Sequence, residues 1–138
     1  MKILVSFMAL AVLLGAAPQS LGADSPESAE SAALTWLALV DAGNYPESWN
    51  TAATYFRNAV PQAGWVSKVG AVRGPLGAVT SRRVASSQAT HSLPGAPDGD
   101  YVVIRFTTSF EHKAEATETV TPMKDPDGHW RVVGYYIR

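Results

Sequence analysis

The chain has 138 residues, with 11 basic and 12 acidic side chains and no cysteine. That length sets a prior of one domain, and the charge balance leaves no basic stripe for nucleic acid. The missing cysteines exclude disulfides, thiol chemistry and a bacterial lipid anchor, so apolar packing must hold the fold.

Met1 and Lys2 precede an apolar run from Ile3 to Leu14 broken only by Ser6, and small and polar residues follow as far as Ala23. This is the order of a secretory signal. The run is short of the roughly 20 apolar residues of a spanning helix. Residues 1–23 are therefore expected to be a signal peptide cleaved near Ala23, and residues 24–138 a single domain. The product is expected to be periplasmic or secreted, with no membrane anchor after cleavage. Without Lys2, 10 basic residues face 12 acidic ones, a formal net charge of −2.

Ser25-Pro26-Glu27 has the order of an N-cap, a Pro at the first helical position and an acid in the first turn. Ala29, Ala32, Ala33, Trp36, Leu37 and Val40 repeat at helical spacing on one face, and Gly43 suits a C-cap. Asn44 with Glu47 three residues on reads as a capping box. It opens a second helix that buries Trp49, Ala52, Ala53, Phe56 and Val60 and stops at Pro61. A third helix, Gln62 to Arg73, aligns Trp65, Val69 and Val72, weakened by Gly64 and Gly70.

Four strands follow. Ser81 to Leu93 is Ser- and Ala-rich, and the Pro/Gly stretch 94–99 is a loop. Asp100–His112, Glu115–Lys124 and His129–Arg138 are rich in β-branched and aromatic residues, with turns expected at 113–114 and at Asp125-Pro126-Asp127-Gly128. Helices first and an antiparallel sheet afterwards make an α+β domain. Strands this long coil, and a curved sheet around the helices would leave a wedge suited to a small-molecule site.

The segment 31–45 with Ser48-Trp49, the spaced Phe56 and Trp65, Arg73-Gly74-Pro75-Leu76-Gly77 with Ser81-Arg82, and the close Asp127 to Ile137 together resemble the family named "domain of unknown function 4019". The resemblance implies an exported bacterial domain. It also implies a cystatin-like or nuclear-transport-factor-2-like fold, with helices on a curved four-stranded antiparallel sheet. It implies no reaction and no catalytic residue. Pro122 departs from the apolar residue expected inside the third strand.

A simple meander puts His112 and His129 about 30 Å apart and His91 and His129 near 14 Å, by strand rise and strand spacing. No metal site and no cofactor are therefore expected. Uninterrupted alternation places Val102, Ile104, Phe106, Phe110, Met123, Trp130, Val132 and Tyr136 on the helix side, and Tyr101, Val103, Arg105, Thr107, Val120, Arg131, Val133 and Tyr135 on the other. Val103, Val120, Val133 and Tyr135 would then form an apolar outer patch suited to a homodimer. Arg105 and Arg131 flank it, and they would bind an anion or pair with Glu118 or Glu111.

In the wedge, Tyr45, Trp49, His91, Thr121 and Tyr136 are candidate ligand-binding residues, while Asp41 and Glu118 are expected to face away from it. Thr119 and Thr121 are possible partners for the indole N–H groups of a tryptophan-rich core. The expectation is a small binding or accessory domain for an unidentified small molecule or protein. A metal-free isomerase- or cyclase-like enzyme using the wedge, and a structural homodimer, are the alternatives.

Overall fold

A computed structural model of the chain describes residues 26–138, with side chains from Ala29 onward; the expected signal peptide and the Ser25 cap lie outside them. Four helices, α1 (Pro26–Asp41), α2 (Tyr45–Asn50), α3 (Thr54–Ala59) and α4 (Gln62–Leu76), precede four strands, β1 (Val79–Thr90), β2 (Tyr101–Phe110), β3 (Lys113–Lys124) and β4 (Trp130–Ile137). The strands form one antiparallel sheet in the order β1-β2-β3-β4, so the architecture is α+β.

The apolar stripe of α1 does what its spacing predicts. Ala29, Ala33, Leu37 and Val40 are at most 1% exposed, packed against Val102, Ile104, Phe106, Val120 and Val132 of the sheet. Gly43 ends the helix at φ 75, where the Gly43 and Asn44 N–H groups reach back to the carbonyls of Val40 and Leu39. Only a residue without Cβ adopts that φ at low cost.

The second expected helix is broken in two. Ala53 is extended (φ −58, ψ 147), and its N–H donates to the Val132 carbonyl at 2.8 Å. A group that a continuous helix would satisfy internally instead ties the helices to the edge strand β4. The Asn44 side chain makes no capping hydrogen bond, and the Glu47 carboxylate accepts from Asn50 instead, so no capping box forms.

Two bulges overturn the expected strand faces. Between Phe110↔Lys113 and Thr108↔Ala116, Ser109 faces both Ala114 and Glu115, and the turn sits at 111–112 rather than 113–114. Between Pro122↔Val132 and Thr121↔Gly134, Val133 is an extra residue on β4. Each insertion shifts the two-residue alternation by one and sends every later side chain to the other face. Val120 therefore points into the core at 0% exposure, and Tyr135 packs against that core. Tyr136 turns outward at 48% exposure, and Met123 joins a small cluster with Tyr101 and Ala53. The four-residue apolar patch expected for a homodimer is not assembled, because two of its members face the helices. Pro122 is buried inside β3 at this second bulge, where its missing N–H removes least from the ladder.

Candidate functional site

The α4 positions Trp65, Lys68, Val69 and Val72 lie on one helical stripe. With Tyr135, Tyr136 and Ile137 of β4 they enclose a groove of about 310 Å³. Trp65 and Val69 are buried, while Val72 at 50% and Tyr136 at 48% exposure stand at the mouth. Exposed Lys68, with no ion pair among the described residues, adds the groove's one formal charge.

Behind the groove, Tyr135 connects to a cluster of paired charges. The Glu118 side chain is 0% exposed and accepts from Arg82 Nε at 2.7 Å and Arg82 Nη2 at 3.2 Å. It also accepts from Thr108 Oγ1 and from the Tyr135 hydroxyl, each at 2.5 Å. Arg82 continues to Asp41 Oδ2 at 2.7 Å, and Arg73 donates to Asp41 Oδ1 at 2.8 Å. The Arg73 guanidinium lies 5.0 Å from the Phe110 ring centre, and its Nε and Nη1 have no hydrogen-bond partner among the described residues. Its cationic face is met by the ring instead. Asp41 and Glu118 both belong to this cluster, against the expectation that they face away from the core. The bulge near Ser109 turns Glu118 inward, and the end of α1 presents Asp41 to the arginines.

Burial opposes ionisation of Asp41, but hydrogen bonds from Arg82 and Arg73 prevail and hold its carboxyl below the ordinary aspartate value. Burial likewise opposes the Arg82 charge, and Asp41 and Glu118 outweigh it. Tyr135 is pushed well above the ordinary phenol value, first by burial and then by the Glu118 carboxylate beside it. Both states keep this phenol neutral below pH 10, so its contribution to stability is intact there. Above pH 10 only the unfolded phenol ionises, and stability should fall by about 1.4 kcal/mol per pH unit from this group. Urea titrations between pH 8 and 11.5 should show a shallower alkaline decline for Tyr135→Phe than for wild type. An unchanged decline would place the effect elsewhere.

The indoles are satisfied away from Thr119 and Thr121, which lie on the opposite sheet face. Trp36 Nε1 donates to the Ser48 carbonyl at 2.8 Å, and Trp65 Nε1 to the hydroxyl of the same serine at 2.9 Å. Trp49 Nε1 donates to the Val60 carbonyl at 2.7 Å. Trp36 also packs edge-on against Tyr135, with centroids 5.2 Å apart. These rings fill the centre of the expected wedge, and openings remain at its edges: the α4–β4 groove and a cavity of about 340 Å³ between α1 and the start of β4, lined by Trp36, Leu39 and Trp130.

The five expected ligand-binding residues are not brought together. Tyr45 and Trp49 pack on the core from α2, and Thr121 lies opposite Gly134. Tyr136 alone lines the α4–β4 groove. His91 lies beyond the end of β1 with its side chain 90% exposed, its Nδ1 2.9 Å from Asp100, beside a separate cavity of about 320 Å³. It is not on the core side, because the strand ends at Thr90. A base so open to water lacks the shielding that general-base catalysis uses. Arg131 pairs with Asp125 and Asp127, not with Glu118 or Glu111. Among the described residues no group of three or more His, Asp or Glu could hold a metal ion, and no helix is long and apolar enough to cross a membrane.

Sequence reading missed Lys68, Arg73 and Arg82 as parts of a site. Glu118 had a usable signal, since it alternates with Ala116 and Val120 and shares their face. The family model described as "Protein of unknown function (DUF4019)" matches residues 32–135. No curated protein and no solved structure matches the chain.

Proposed function

This chain belongs to the DUF4019 family of proteins of unknown function, and on that footing we propose that it is a small exported binding domain of the bacterial periplasm that holds an apolar carboxylate in the α4–β4 groove. The observation that carries the reading is the groove itself. An indole and two tyrosines line an opening whose rim bears Val72, Tyr136 and Lys68, which has no ion pair among the described residues. Pockets of this size, mostly apolar with few polar groups, are typical of small-molecule sites. Export is supported by the signal-like residues 1–23. The helices preceding a bulged four-stranded meander support a cystatin-like or nuclear-transport-factor-2-like fold.

Binding is favoured over catalysis because the buried carboxylate, Glu118, already accepts from Arg82, Thr108 and Tyr135 and has no opening to a substrate. The test is a titration of the exported protein, its N-terminus first established, with octanoate and octanol, read by tryptophan fluorescence. Octanoate should saturate and bind more tightly than octanol. Val72→Glu should abolish binding, and Lys68→Ala should erase the preference for the acid. Absence of a saturable signal with both ligands would remove the groove as a binding site.

A further inference from the structure

The sheet face turned away from the helices carries a second site, which meets the groove only at Tyr136. Its register places Arg83, Thr107 and Thr117 in one cross-strand row on β1, β2 and β3, and Thr117 exchanges both backbone hydrogen bonds with Arg138 at the end of β4. The next row on the same face is Ser86, Arg105, Thr119 and Tyr136. Arg83, Arg105 and Arg138 are all exposed, and none has an ion pair among the described residues. Arg73, Arg82 and Arg131 are each paired with a carboxylate. Neither row contains an acid; the nearest by register, Glu115, precedes Thr117 by two residues, beside the bulge. A chain with formal net charge −1 thus presents a one-sided positive face.

The dimensions suit an extended partner. Arg83 and Arg138 stand three strands apart, roughly 14 Å at the usual strand spacing. Arg105 is a diagonal neighbour of Arg83, at roughly 7–8 Å between Cα atoms. Between the arginines lie hydroxyls, and the exposed Tyr136 ring has the Arg138 guanidinium 5.7 Å from its centre.

We propose that this face binds a linear acidic polysaccharide, its carboxylates on the three arginines and its hydroxyls on the exposed Thr107 and Thr117. Hydroxyls both donate and accept, which matches the hydroxyls of a sugar chain, whereas phosphates only accept. A lipid surface would call for more exposed apolar side chains than Tyr136, with Val103 only partly exposed. Single-stranded nucleic acid would call for several stacking rings, and the two rows offer one.

Polygalacturonate on a solid support, with dextran as the uncharged control, tests the assignment using the exported protein. Wild type should be retained by polygalacturonate and not by dextran. Retention should fall as added salt shortens the Debye length from about 30 Å at 0.01 M to about 10 Å at 0.1 M. The triple variant Arg83→Ala/Arg105→Ala/Arg138→Ala should bind at least about tenfold more weakly, a loss of about 1.4 kcal/mol or more. Its melting temperature should match wild type, and the double variant Arg83→Ala/Arg105→Ala, which leaves the Arg138–Tyr136 contact in place, should lose polygalacturonate affinity while keeping the wild-type octanoate titration, which separates this site from the groove. Equal retention by dextran, retention unchanged in the triple variant, or no retention of wild type at low salt would overturn the proposal. So would tighter binding to phosphatidylglycerol vesicles or single-stranded DNA, or a wild-type dimer that the triple variant dissociates, since another occupant would then hold the face.

Discussion

Arg82→Met should destabilise the protein by about 3–5 kcal/mol at pH 7, the usual consequence of leaving one partner of a buried ion pair behind. Glu118, fully buried against Arg82, would keep only Thr108 and Tyr135 as donors for its charge. A second substitution, Glu118→Leu, should return most of the loss, because an apolar replacement of a buried pair is often nearly neutral. Urea unfolding of wild type, single and double variants decides it. A single-variant loss below about 1 kcal/mol would mean that water reaches Glu118, contrary to its complete burial.

Trp36→Ala should cost about 3–5 kcal/mol out of the 5–15 kcal/mol that holds a domain of this size. The ring is 4% exposed, lies 5.8 Å from Trp65 and 5.2 Å from Tyr135 between centroids, and anchors the Ser48 carbonyl. Trp36→Phe should lose less, because it keeps most of the ring volume and forfeits mainly the hydrogen bond, leaving a buried acceptor unpaired at about 1–3 kcal/mol. Tyr136→Ala, on a ring left 48% exposed, should change stability by no more than about 0.5 kcal/mol. If Trp36→Ala unfolded at the wild-type urea midpoint, the aromatic cluster would not be the keystone of the core.

The groove was only partly legible in the sequence. Helical periodicity places Trp65, Val69 and Val72 on one side of the third helix, but it does not separate the buried Trp65 and Val69 from the half-exposed Val72, nor mark Arg73 as the buried residue beside it. Tyr136 was singled out, yet for the helix side of the sheet. Of the charge cluster only Glu118 left a local signal, in its alternation with Ala116 and Val120; its partners join α1, α4 and the other strands, and no local spacing marks such a meeting.

What the sequence by itself determined is local. The α1 stripe, the Gly43 stop, the turn at 125–128 and the β-branched strands each follow from residues within a few positions of one another, because backbone preference and amphipathic period act over that range. They were enough to specify helices followed by an antiparallel sheet. Which face each strand shows was decided only by the tertiary structure. One unpaired residue at Val133 and one beside Ser109 exchange the inward and outward sets, and a bulge is placed by cross-strand pairing that alternation along one strand does not encode. Those two insertions put Glu118 and Tyr135 in the core, moved Tyr136 to the surface, and left the outer face to threonine and arginine.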